Sequence, residues 1–576
     1  MRLRTLLTAT AASTLAVAGL TSMAALADPQ PAQASPGSVV TWGAPPADAP
    51  QTVPQDLTGL IVSVAANDRA TAVVTADGRL RVWGDDGAPE VVEMPTDITD
   101  ALSVSLTTGN GAVLRAGGRI TAWGASAALA ADPPSRSKAI SLADGTGYSV
   151  DADGRLGVFG ETPTVAPPAL SQLVDVVAAP THVLALTNGG TVHAWGDPAF
   201  PDLATVPSFG GKKVTQIATS DGANGVVLAD GTIRVWGPAV PPGQPDLAGQ
   251  KVVSLDLANG AAGAVTQDGV VHTWGTQAAV NAVPASLAGQ PVVAIAMGAR
   301  HAAAVVAYRV MTPTSIPRTP RVGQTLTAAL PSYSLAPAST TGQWYAGLVP
   351  IRGLTSPTMT VDDSMVGTLL SFHTTATLDG VTRTSESAPV SPVGRAASTT
   401  TLTVSRAKAP AGRTRTATAT VTRLRGTPTG TVTFTAGTRT RVVPLSHGQA
   451  TWTLPPLPAG SHAVTTTYSG SPSSDPSTAV PVKLKTIKAV STVRARATET
   501  TTRVQLAVRV RTAGGVSPKG KVTVSVAGRK VTARVDASGR ATVAITRVKH
   551  GSYTATVVYG GNDSVSGSRS SVTLSV

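Results

Sequence analysis

Residues 77–84 read Asp77-Gly78-Arg79-Leu80-Arg81-Val82-Trp83-Gly84. An Asp-Gly pair supplies the positive φ of a two-residue hairpin turn, and the apolar residues at alternate positions after it make a short strand that ends on Trp-Gly. The same ending recurs at Trp42-Gly43, Trp123-Gly124, Phe159-Gly160, Trp195-Gly196, Trp236-Gly237 and Trp274-Gly275, at intervals of 36 to 41 residues. Turn pairs at 117–118, 153–154, 189–190, 230–231 and 268–269 precede five of these strands. Midway between successive pairs stands another β run, as at 60–65 and 252–257. Each unit is thus predicted to be a small antiparallel sheet of about four short strands that cannot bury both faces alone. Radial stacking of such units gives a β-propeller. Seven aromatic-Gly strands and seven midway runs predict seven blades over 38–308. The strand at Trp42 has no unit before it, and 292–308 has no Trp-Gly strand after it. The two half-units are therefore expected to complete one another, which leaves no blade with an open edge.

Composition agrees with an all-β chain. Apolar residues make up 42% of the 576, too many for disorder, while 57 Gly and 43 Pro punctuate small and β-branched residues. The absence of Cys excludes a disulfide framework, a thiolate metal site and a cysteine nucleophile. Arg2 and Arg4 precede the apolar stretch 6–20, and Ala25-Leu26-Ala27 is a small-x-small cleavage pattern, so 1–27 is read as a signal peptide and 28–37 as a linker. No later run reaches about 18 apolar residues. A secreted, extracellular chain without a membrane span is expected. The strand-like ending 571–576 has neither a hydrophobic tail nor a basic cluster, so any association with a cell wall is expected to be non-covalent.

Past Tyr308 the 40-residue rhythm stops and Thr, Arg, Val and Ser dominate. Residues 309–391 are read as a first sandwich with Trp344 in its core, and 392–397 as a linker. Pro428-Thr429-Gly430-Thr431-Val432-Thr433-Phe434 then matches Pro518-Lys519-Gly520-Lys521-Val522-Thr523-Val524, and Tyr468 matches Tyr559. Two copies of about 90 residues, 398–487 and 488–576, are therefore two further sandwiches. The expected fold is all-β: a seven-bladed β-propeller followed by three immunoglobulin-like β-sandwich domains.

The formal net charge of +14 divides sharply along the chain. Residues 38–308 hold 13 Lys+Arg against 23 Asp+Glu, and residues 309–576 hold 31 against 8. Basic residues recur at period two, as in Arg494/Arg496 and Arg509/Arg511, which places each pair on one strand face. Such a face can meet phosphates. With few aromatics for base stacking and no nucleic-acid motif, an anionic envelope polymer is favoured as its partner over a specific nucleic acid.

The propeller units resemble the regulator-of-chromosome-condensation repeat family. The resemblance rests on the Asp-Gly-x-apolar-x-x-Trp-Gly strands and on the second half-motif at 179–186 and 296–305, which carries His182 and His301. Elsewhere that His is replaced, as by Ala70 or Gly147. The short units are similar to a secreted bacterial branch that includes a propeller-type β-lactamase inhibitor protein. The sandwiches resemble repeated bacterial immunoglobulin-like domains of surface and exported proteins. This resemblance implies display, spacing or adhesion rather than catalysis.

No His-Glu-x-x-His, Gly-x-Ser-x-Gly, phosphate loop or zinc spacing occurs, so no catalytic residue, cofactor or metal site is assigned. Asp151 and Asp153 are read as a hairpin turn, and His182 and His301 as hydrogen-bonded blade residues. The candidate partner-binding residues are the acidic cluster Asp85, Asp86, Glu90 and Glu93, with Asp97 and Asp100 nearby, and the aromatics Phe200 and Phe209. The expected function is a secreted, monomeric, non-enzymatic binding protein: an unknown protein partner meets the acidic propeller, and a basic stalk holds the chain at an anionic polymer. The alternatives are an inhibitor of the β-lactamase-inhibitor type and a carbohydrate-active enzyme, which would need two carboxylates converging about 5–9.5 Å apart.

Overall fold

The computed structural model describes residues 37–44, 52–388, 390–500 and 503–576. The predicted signal peptide lies outside the described residues. The chain divides into two compact units: one contains the residues up to Pro313 with 331–341 and 375–385, and the other contains 314–330, 342–374 and 386–576.

The first unit is built from small antiparallel sheets. Strands Ile61–Ala66, Ala70–Thr75 and Leu80–Gly84 form the first. Five more follow with first strands Ala101–Thr107, Ser137–Ala143, Leu173–Ala179, Val214–Ser220 and Val252–Ala258. In the last set, Val292–Met297 and His301–Ala307 are joined by Gly37–Gly43, which pairs along its whole length with His301–Ala307. The first strands of successive sheets touch in order, and Val292–Met297 touches Ile61–Ala66, so the ring closes into a propeller.

Each sheet has three strands where about four were predicted. The place after the aromatic-Gly strand is taken in four units by a one-turn helix, such as Pro89–Val92, Ala127–Ala131, Pro201–Ala204 and Ala278–Asn281. These segments are rich in Ala and Pro, which lack the β-branched packing a further strand needs. The turns are also longer than two residues: four residues join Ala70–Thr75 to Leu80–Gly84, and only Gly78 takes positive φ (82°).

The aromatic-Gly pair has a direct steric cause. Gly124 sits at φ 114°, and a Cβ there would lie 2.2 Å from the Gly109 carbonyl oxygen. Trp123 beside it is 6% exposed and packs between neighbouring sheets. Polar staples on the inner strands tie four pairs of neighbouring sheets together. Ser63, Ser105, Ser141 and Ser254 each accept a backbone N–H from the following inner strand through Oγ, and Asp256 accepts that of Met297 at 2.7 Å.

In the second unit, Trp344 and Phe372 are fully buried at a ring separation of 5.1 Å, and Trp344 donates to Ser356 O at 2.8 Å. The next module packs the sheet Ser398–Val404, Thr416–Arg423, Gln449–Thr453 against one that includes Thr431–Ala436 and Gly460–Tyr468, around Phe434 and Tyr468. The last module repeats that plan. Ser491–Thr500, Arg503–Thr512 and Arg540–Thr546 form one sheet; Arg529–Val535, Gly520–Val526, Ser552–Tyr559 and Ser568–Ser575 form the other, around Leu506, Val524 and Tyr559. Ion pairs join the first two modules. Arg423, with a side chain 6% exposed, pairs with Asp363 at 2.8 Å, and Arg321 pairs with Asp475 at 2.6 Å.

Candidate interaction surfaces

The acidic cluster predicted as a docking site is largely occupied within the propeller. Glu90 is fully buried, and its two carboxylate oxygens accept from Asn67 Nδ2 (3.0 Å) and Gly109 N (2.9 Å). Its place in the helix Pro89–Val92 turns the side chain inward, so it is a staple between two sheets and not a surface residue. Asp85 pairs with Arg69 and accepts Gly87 N–H; that backbone bond first, then Arg69, holds its carboxyl below the usual range. Asp100 is clamped between Arg115 and Arg119. Asp86, Glu93 and Asp97 remain exposed. Phe209 is half-buried against Trp236 (5.9 Å) and packs with it on the cluster around Val226; Phe200 is 41% exposed.

A cleft of about 210 Å³ that the sequence did not single out opens at the sheets 137–160 and 173–196. Asp144, Glu161 and Asp197 line it, with Tyr148 and Trp195 set edge to face at 6.2 Å. Trp42 and Trp123 donate their indole N–H to Val280 O (2.8 Å) and Glu90 O (2.9 Å), carbonyls of the one-turn helices in the preceding connections. The connection before Trp195 carries Pro163, Pro167 and Pro168 and forms no such helix, and residues 161–165 wall the cavity there; Trp195 Nε1 is buried without a partner, as is Trp236 Nε1, whose preceding connection does form the helix Pro201–Ala204. Burial first, then the charges of Asp221 and Glu161, push the Asp144 carboxyl above the usual range. His182, also at the cleft, bonds through Nε2 to Asn224 Oδ1 at 2.7 Å and is held neutral-leaning by burial. His182 and His301 each lie opposite the Gly of an aromatic-Gly pair, as blade residues; in the third unit that position is Thr146, not Gly147. Among the described residues no group of three or more His, Cys, Asp or Glu could hold a metal ion.

The third sandwich carries the opposite charge in a regular array. Arg494 lies opposite Arg509, and Arg509 opposite Arg540, so three arginines cross the sheet in one row. Arg496 and Arg511 stand two residues along the same exposed face. Among the described residues none of the five is in an ion pair. Asp536, in the turn before Arg540, accepts that residue's backbone N–H at 2.8 Å and feels its charge.

Residues 61–88 match the model of the regulator of chromosome condensation (RCC1) repeat, and 402–487 match that of a bacterial Ig-like domain (group 3). The chain carries an RCC1 repeat and a bacterial Ig-like domain. The RCC1 match covers the first three-stranded sheet and its connection to Ala88; the Ig-like match covers the second sandwich. Similar solved structures include yeast RCC1 (Prp20) bound to Kap60, 13% identical over 49% of this chain and 91% of that one, with a TM-score of 0.40. Prp20p from Saccharomyces cerevisiae is 12% identical over 48% and 93%, with a TM-score of 0.39. The ectodomain of the Physcomitrella patens receptor kinase CR4 is 17% identical over 45% and 77%, with a TM-score of 0.34. A search of curated proteins gives no match. These findings do not show the likeness to a β-lactamase inhibitor. RCC1-type propellers and Ig-like modules are typically non-catalytic and point to a protein-interaction or adhesion-type role. Among the described residues no helix is long and apolar enough to cross a membrane.

Proposed function

We propose that this is an exported, non-enzymatic interaction protein in which an RCC1-type propeller offers a face to a protein partner and basic Ig-like modules hold the chain at an anionic envelope polymer. The observation that carries this reading is the contrast in how charge is used. The propeller's acids are in good part bonded inside it, at Glu90, Asp85, Asp100 and Asp256, whereas the sandwiches expose arginines without ion pairs. Surface attraction of this type is screened within about 8 Å at physiological salt. Washing cells with about 1 M salt should therefore release the protein. Retention of all cell-associated protein under that wash refutes electrostatic tethering.

The cleft favours a second reading, a carbohydrate-active enzyme, because it gathers three carboxylates beside two aromatic rings. It ranks second because about 210 Å³ lies below the roughly 300–1,000 Å³ of ordinary ligand sites. Glycan hydrolysis that is lost in both Asp144→Asn and Glu161→Gln would reverse the order.

A further inference from the structure

We infer that the row Arg494–Arg509–Arg540 and its neighbours Arg496 and Arg511 form a built binding face for a flexible polyphosphodiester. The inference rests on the stalk reading above and deepens it by naming the face and the chemistry. Like charges directly opposite one another across a sheet destabilise it. Here three lie in strict cross-strand register, so the fold bears a cost that its own stability does not explain.

The second sandwich supplies an internal comparison. There the corresponding sheet pairs Thr401 with Thr420 and Thr420 with Gln449, at the same places in the same architecture. Ser398 and Ser491 fix the alignment, since each donates its hydroxyl to a backbone carbonyl, of Asp475 and Ser566 respectively, and bonds a second serine, Ser477 and Ser568. The architecture therefore forms with a neutral row, and the arginines are an addition to it.

Strands lie about 4.8 Å apart and alternate residues about 6.8 Å apart along a strand. Arg511 lies level with Thr492 and Arg496 level with Ala507, one step to either side of the row, so the five guanidinium groups cover a patch of roughly 10 by 14 Å, a spacing that successive phosphates of a flexible chain can follow. All five positions are Arg, whose planar fork matches phosphate oxygens two at a time. The opposite sheet uses Lys521 and Lys530 as well as Arg534. The exposed neighbours of the row on its face are Thr492, Thr498, Gln505, Ala507, Thr542 and Ala544, with no aromatic ring on which a base could stack. That absence favours a polyol-phosphate chain over nucleic acid.

The test uses the full chain, poly(glycerol phosphate) as probe, and the triple variant R494T/R509T/R540Q, which copies the second sandwich's row and so should fold. A second variant, K521S/K530S/R534S, removes the same number of charges from the opposite sheet. At about 50 mM salt the first variant should bind roughly 30-fold more weakly and lose about three units of salt slope, while the second stays within about threefold. The first variant should also melt at a higher temperature, because the like-charge row is gone. Equal losses in both variants, or none in either, overturn the binding face but leave the stalk reading standing if the wild type binds. No binding by the wild type overturns both. Tighter binding of duplex DNA than of poly(glycerol phosphate) overturns the polyol-phosphate assignment in favour of nucleic acid.

Discussion

Asp256→Asn should stabilise the propeller, and only above mid-acid pH. Asp256 sits on the inner strand Val252–Ala258, where burial is the main cause that pushes its carboxyl up to about 7; the N–H groups of Met297 and Leu257 oppose the rise. A carboxyl whose pKa is higher in the folded than in the unfolded state favours folding in its protonated form. Its contribution is complete below the unfolded value of 3.8 and is lost as pH rises through about 7. A rise of about three units corresponds to roughly 4 kcal/mol at about 1.36 kcal/mol per unit. The side chain remains partly open to solvent, so the cost of ionisation is expected nearer 2 kcal/mol. Asn keeps an oxygen that can accept the Met297 N–H but carries no charge to desolvate. The variant should match the wild type near pH 4 and exceed it by about 2 kcal/mol at pH 8. Six of the eight tryptophans belong to the propeller, so urea unfolding followed by tryptophan fluorescence reports mainly this unit. A gain of equal size at both pH values, or a loss at pH 8, refutes the reasoning, since either outcome means that hydrogen-bond geometry and not charge dominates.

Other substitutions probe the remaining steps. Gly124→Ala should cost on the order of 2–4 kcal/mol, because it combines positive φ with a 2.2 Å approach to a carbonyl oxygen. Gly210→Ala, at positive φ in open space, should cost about 1 kcal/mol; similar losses in the same urea assay would remove the steric account of the aromatic-Gly pair. Glu161→Gln should lower the Asp144 pKa toward its ordinary value by removing a repulsive charge, as read by carboxyl-carbon NMR titration; an unchanged or higher value contradicts the electrostatics of the cleft. Arg423→Ala should accelerate amide exchange around 362–365 and 471–475 by about tenfold, since Arg423 bonds Asp363, Ser473 and Ser474. Unchanged exchange there means the junction between the first two sandwiches holds without it.

The propeller was legible because its signals are local. Trp83-Gly84 and its copies report a steric requirement between residues within one hairpin, and that requirement repeats. About four strands per unit were expected where three form, because segments such as 88–92 do not announce whether they extend or coil. Glu90 shows the larger limit. In the sequence it is one carboxylate among six in sixteen residues, and only the helix phase of Pro89–Val92 turns it inward to Asn67 and Gly109. The cleft has the converse difficulty: residues 161–165 wall it without forming any regular element. The proline-rich stretch 163–168 was its only trace in the sequence.

Period two placed Arg494 with Arg496 and Arg509 with Arg511, but it could not place Arg540, thirty residues on, in the same row. Cross-strand register depends on turn lengths, and those follow from residues such as Gly539, at φ 82°, that carry no charge information. Register is also what changes the weight of the two charge patches. Acidic residues outnumber basic ones in the propeller, yet the fold turns Glu90 inward, clamps Asp85 and Asp100 with arginine, and sets Asp175 and Asp256 on inner strands. In the third sandwich the alternation of a two-layer sheet directs every one of the five arginines outward, where the opposing layer supplies no acid. A net charge counted along the sequence treats both as surface potentials. The second lies wholly outward in one regular row, whereas only part of the first, such as Asp86, Glu93 and Asp97, stays exposed, which is why the basic stalk and not the acidic propeller carries the more specific claim about binding.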